Sequence, residues 1–226
     1  MESSPIILTP TFTPSLTRYK RSIRFDDIDD AQDDALALFE EAAKKLQPKV
    51  MMKEMFIDSH GMRDGLSTIT IDDTTFEGKA LKVLQDVHRV MCYVTTCGNE
   101  MESFDLSSLD MLAFYWLDMV KNQALAEARR TMFAYCKENL GITKPLSVNP
   151  GSGNVDIWPI SQMQGLFKLM GGGDQVGVSL TESSLMVPNK TISGLIFASS
   201  DSDYESCAYC ERERCPNRRV PFKERM

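Results

Sequence analysis

The chain has 226 residues, of which 42% are hydrophobic and 25% charged, with a formal net charge of −7; that is enough length and apolar content for one large domain or two small ones. The acidic balance excludes broad binding to a phosphate backbone, which needs clustered Lys and Arg, and the short basic run from Arg218-Arg219 to Lys223-Arg225 does not reverse it. No apolar run approaches the roughly 20 residues of a membrane span, and Met1 to Pro14 lacks the positive region of a signal peptide, so a cytoplasmic protein with neither nucleic-acid nor membrane partners is expected.

In chain order, residues 1–17 read as an extended or mobile leader. The acidic run Asp26 to Asp34 precedes a helix to about Lys45, with Asp29 or Asp30 as its cap and an acidic start and basic end that suit the helix dipole. Val50 to Ile57 and Leu66 to Ile71 read as strands joined through a turn region holding Gly61 and Gly65. Phe76, Ala80, Leu81, Leu84 and Val87 recur at helical spacing behind capping groups at Asp73 to Thr75. Arg89 to Thr96 has strand composition.

A long, mostly apolar helix is expected from about Ser107 to Asn139, closed by Leu140-Gly141. Pro145 to Asp156 reads as a loop, and Pro159 opens a helix to about Met170 that Gly171-Gly-Gly173 ends. Two β-rich runs, Gln175 to Leu180 and Thr191 to Ser199, then flank the polar Thr181-Glu182-Ser183-Ser184 and the triplet Leu185-Met186-Val187. The fold class expected is α+β: one mixed domain over residues 18–204, followed by a Cys-bearing tail over 205–226.

Four places carry chemistry. Glu127 falls in a helical-wheel sector with Leu109, Trp116, Val120 and Ala134. A carboxylate there must be paired, protonated or bound to a cation, and both Arg130 and a cationic ligand qualify. The loop Ser147-Val-Asn149-Pro150-Gly151-Ser152 offers a tight turn with backbone donors and acceptors. Tyr204 follows the last strand. Cys207, Cys210 and Cys215 form C-x-x-C-x-x-x-x-C-P, a spacing of metal ligands, whether zinc or an iron–sulfur cluster. Their alternative is free thiols, and a fourth ligand would come from Cys92, Cys97, Cys136, a His or water.

The run Leu180-Thr-Glu-Ser-Ser-Leu-Met-Val-Pro188 followed by Ser193-Gly194 resembles the activation domain of vitamin B12-dependent methionine synthase, where L-T-E-S-x-x-M-x-P precedes an S-G strand. Leu125-Ala-Glu-Ala128, Pro150-Gly151 and Asp201-Ser-Asp-Tyr204 resemble further segments of that family in the same order. The resemblance implies a mixed domain with a twisted antiparallel sheet. It implies an S-adenosylmethionine site involving Glu127, Asn149, Pro150, Gly151 and Tyr204. It also implies a partner that holds cobalamin, either methionine synthase or another corrinoid methyltransferase, and a flavodoxin-like or ferredoxin-like reductant. The expected function is a stand-alone activation subunit supporting reductive methylation of cobalamin. The alternatives are a metal- or iron–sulfur-bearing redox activator, or a docking protein without ligand binding. The chain departs from the family at three positions: Ser147 stands where the family has arginine, and Ser152 and Glu205 where it has tyrosine.

Overall fold

The computed structural model describes residues 4–153, 157–198, 204–210, 212–213, 218 and 220–223. Its centre is a five-stranded antiparallel sheet in the order β1-β2-β6-β10-β7. The strands are β1 (Ile6–Leu8), β2 (Lys49–Phe56), β6 (Arg89–Thr96), β7 (Pro145–Val148) and β10 (Thr191–Ala198). The inner three are apolar on both faces because both faces are covered. Met51, Cys92, Val94, Leu195 and Phe197 point to one side, and Val50, Met52, Met91, Tyr93 and Ile196 to the other, as the two-residue period of a strand requires.

On the second side lie α1 (Leu16–Ile23), α2 (Gln32–Lys45) and α3 (Ala113–Asn139). The buried residues of α2, namely Ala35, Leu38, Phe39 and Ala42, make one helical stripe. Along α3 the stripe is Trp116, Val120, Ala124, Ala128, Met132 and Cys136, whose small alanines bring the helix close to the sheet. The opposite side is covered by a three-stranded sheet, β3 (Ser59–Arg63), β4 (Leu66–Ile71) and β5 (Thr74–Gly78), and by α4 (Met163–Met170). A short hairpin, β8 (Ser179–Leu180) with β9 (Met186–Val187), completes the fold. The expected α+β class with an antiparallel sheet stands.

Several boundaries differ from expectation. The leader is not loose throughout: Ile6–Leu8 pairs with Val50–Met52 as an edge strand. Ser15 is fastened to α3 by Gln123, which accepts from the Ser15 amide at 2.7 Å and donates to its carbonyl at 3.2 Å. Gly61 lies inside β3 rather than in a turn. The helix expected around Phe76 to Val87 is a strand and then a 3-10 segment, Lys79–Leu84. Ala80, Leu81 and Leu84 are buried as their spacing demands, but Phe76 belongs to β5, paired with Ile69.

The long helix begins at Ala113, not near Ser107, so Leu109 is not on its wheel. Pro145–Val148, read as loop, is an edge strand on β10. Pro145 is its first residue, the place in a sheet where a missing N–H does least harm. Of Gln175 to Leu180, only Ser179–Leu180 is strand. No helix among the described residues is long and apolar enough to cross a membrane.

Candidate ligand-binding site

The polar run 181–184 is a turn that closes the β8–β9 hairpin. The Thr181 hydroxyl accepts the Leu185 amide at 3.0 Å, the Thr181 amide donates to the Leu185 carbonyl at 2.9 Å, and the Ser184 amide donates to the Thr181 carbonyl at 2.9 Å. Ser184 takes φ 64° and is buried, while Glu182 is exposed. Gln164 of α4 donates to the Thr181 carbonyl at 3.0 Å, so the hairpin is held against α4. These side chains shape the fold.

β7 pairs only with Leu195–Ala198, so the chain leaves the sheet after Val148 and the start of β10 has no strand partner on that side. Asn149 fills the gap. Its Nδ2 donates to the Ser193 carbonyl at 2.8 Å and to the Tyr93 hydroxyl at 2.6 Å. The approach is close because residue 194 is Gly: a Cβ there would collide with the Val148 carbonyl oxygen and sit 2.5 Å from Asn149 Nδ2. This accounts for the Ser-Gly pair that the sequence displays. Gly151 turns the loop with φ 72°. Its amide donates to the Trp158 carbonyl at 2.8 Å, and a Cβ would press on Ile160.

Between this turn and the free end of β10 is a cavity of about 260 Å³. Its walls are residues 149–152, Thr191, Ile192 and Ser193, with Met163 from α4, Met186 from β9 and Arg129 from α3. Two polar atoms of these residues are buried without a hydrogen-bond partner: Arg129 Nε and Ser193 Oγ. A larger groove of about 480 Å³, beside Lys53, Asp73 and Lys168, is a poorer candidate. Both of its lysines are already engaged, Lys168 with Asp73 at 2.7 Å and Lys53 with the Leu169 carbonyl at 3.0 Å.

Asn149, Pro150 and Gly151 therefore meet at one cavity; Glu127 and Tyr204 do not line it. Glu127 lies half-buried on α3 and holds Arg130 through both carboxylate oxygens, at 2.7 and 2.6 Å. Arg129 and Glu127 flank the buried Ala128, each about 100° from it around the helix, and it is the Arg129 flank that reaches the cavity. Tyr204 packs in the core on the sheet face opposite α3. The residue that sequence reasoning missed is Arg129. The signal was the Arg129-Arg130 pair beside Glu127: the i,i+3 spacing spends Arg130 on the carboxylate and leaves its neighbour for other work.

Of the cysteine tail, Cys215 lies outside the described residues, as do residues 201–203. Cys207 and Cys210 are half-buried, and among the described residues no three His, Cys, Asp or Glu gather as metal ligands. Arg218 organises the segment, donating to the carbonyls of Cys207 and Cys210 at 2.7 Å and of Arg212 at 2.6 Å. Cys92, Cys97 and Cys136 are core residues rather than tail ligands. Burial pushes their thiols up to about 12, about 12 and about 11.

The family model described as "Vitamin B12 dependent methionine synthase, activation domain" matches residues 123–219. The segment includes Arg129, the 149–152 turn and β10. No curated protein matches the chain. Among solved structures, "Crystal Structure of the MetH Reactivation Domain bound to AdoHcy" matches with a TM-score of 0.53 at 14% identity, covering 90% of this chain and 81% of that one. The resemblance carried by the sequence motifs is borne out in both comparisons, and the fold is that of the reactivation domain.

Proposed function

We propose that this chain is an activation module that binds S-adenosylmethionine in the cavity beside the Asn149-Pro150-Gly151 turn and presents it to a cobalamin-dependent methyltransferase. The partner is a methionine synthase or a related corrinoid protein. In this reading a flavodoxin-like or ferredoxin-like donor gives one electron to inert cob(II)alamin. S-adenosylmethionine held by this chain would supply the methyl group to the reduced cobalamin of the partner and would be left as S-adenosylhomocysteine. The protein's contribution is positioning. The observation that carries the reading is the coincidence of a cavity, a tight Pro-Gly turn and the free end of the Ser-Gly strand inside the segment matched by the activation-domain family. A solved structure of the same fold is described as bound to AdoHcy, which supports a ligand of that class.

At about 260 Å³ the cavity is smaller than the ~300 Å³ at which pockets for whole drug-sized ligands begin. It suits the amino-acid end of the ligand, with the nucleoside lying across the turn. The zinc reading of Cys207, Cys210 and Cys215 belongs to the same proposal as a device for ordering the tail, beside Arg218. The test is calorimetric titration with S-adenosylmethionine at millimolar concentration. Saturable heat that disappears in Gly151→Val supports the reading, since a side chain at φ 72° against Ile160 deforms the turn. Absence of heat in the unaltered protein would contradict it and leave a docking protein without ligand binding.

A further inference from the structure

Among the described residues the cavity wall contains a guanidinium and no acidic side chain: residues 149–152, 163, 186 and 191–193 contribute Asn, Pro, Gly, Ser, Met, Thr and Ile. Arg129 Nε is removed from water without a hydrogen-bond partner, as is Ser193 Oγ, which stands on the face of β10 shared by Leu195 and Phe197. A buried donor left unmatched is costly, and Arg129 brings one to the α3 side of the cavity. Several other polar groups of the wall are already bonded. Asn149 Nδ2 serves Tyr93 and Ser193, the Gly151 amide serves Trp158, and the Ser152 amide serves the Asn149 carbonyl at 3.2 Å.

From this geometry we propose that Arg129 is the anchor for a carboxylate, and that helix α3 rather than the 145–152 loop supplies the charge that orients the ligand. The loop itself is uncharged, with Ser147, Asn149 and Ser152 as its polar residues. A planar carboxylate takes paired donors from a guanidinium, and the contact is charge-assisted. Glu127 on the other flank of the helix keeps Arg130 occupied, so the two adjacent arginines divide: one closes an ion pair, the other faces the cavity. The inference rests on the proposed function in one respect only, that the carboxylate is the amino-acid end of an S-adenosyl ligand.

The experiment compares two probes, AdoHcy, which carries the amino-acid carboxylate, and 5′-methylthioadenosine, which lacks it. Each is titrated into the unaltered chain and into Arg129→Met and Arg129→Lys, with circular dichroism confirming that the variants fold. The unaltered chain is expected to prefer AdoHcy. Arg129→Met is expected to lose roughly 10–100-fold in AdoHcy affinity with methylthioadenosine affinity unchanged, and Arg129→Lys is expected to fall between. Equal AdoHcy affinity in Arg129→Met and the unaltered chain would overturn the anchor while leaving the ligand reading intact. No binding of either probe to the unaltered chain would overturn both. If Arg129→Met does not fold, a Lys variant with undiminished AdoHcy affinity overturns the anchor by itself, and one with reduced affinity only for AdoHcy supports it.

Discussion

Gly194 and Asn149 show how single residues build the cavity. The missing Cβ at 194 lets the 149–152 turn press against β10, and the Asn149 amide then satisfies a carbonyl left over where β7 stops. Gly194→Ala is expected to cost about 1–3 kcal/mol, because the obstructing atom is a backbone carbonyl that cannot rotate away; urea unfolding measures it, and an unchanged midpoint would contradict the packing. Arg218 has a similar part in the tail, where its guanidinium collects four carbonyls. Arg218→Ala should expose residues 205–223 to protease several-fold faster, at a loss of about 1–3 kcal/mol for charge-assisted bonds. Tail cleavage that responds to chelator but not to this substitution would assign the ordering to a metal on Cys207, Cys210 and Cys215. Side-chain roles were the least legible part of the sequence. Glu127 was seen as a carboxylate in need of a partner, and its partner is the nearby Arg130, whereas Arg129 acquires meaning only once the helix is rotated onto the sheet.

At the level of elements, composition located β2, β4, β6 and β10 well because each carries a concentration of apolar or β-branched residues. The extent of Arg89–Thr96 was read correctly to the residue. Periodicity failed where the partner, not the local chain, decides. Phe76 fits a helical spacing with Ala80, but pairing with Ile69 draws it into β5. Pro145–Val148 looks like loop, yet the open edge of β10 makes it a strand. The polar 181–184 run is a turn whose hydrogen bonds close the β8–β9 hairpin. Thr181→Val, which removes the hydroxyl that accepts the Leu185 amide, is expected to lower stability by about 0.5–1.5 kcal/mol, while Thr181→Ser should retain most of it; equal unfolding midpoints for all three proteins would remove the turn's importance.

For the whole molecule, the α+β class and the family resemblance were legible, since both rest on motifs whose order along the chain survives local misreadings. The three-layer arrangement was not, because it depends on both faces of the central sheet being covered. That coverage has a measurable consequence. Cys92, Cys97 and Cys136 sit in the layers' interfaces with thiols raised by burial from an ordinary 9.0 to about 12, about 12 and about 11. Below pH 9 folded and unfolded chains both hold these protons, so no stability depends on them. Above pH 9 the unfolded chain releases them first, and stability should fall with rising pH by up to about 1.4 kcal/mol per pH unit for each thiol. Alkaline unfolding curves for Cys92→Ala and Cys97→Ala should be correspondingly shallower between pH 9 and 11, and identical slopes would contradict the buried-thiol account. The central claim, that the cavity between α3, the 149–152 turn and β10 receives an S-adenosyl ligand, is tested most directly by titrating AdoHcy into isotopically labelled protein and following the backbone amide resonances. The account predicts saturable shifts concentrated at Arg129, Asn149, Gly151, Ser152 and Thr191 to Ser193; resonances there that stay fixed at millimolar AdoHcy would contradict it.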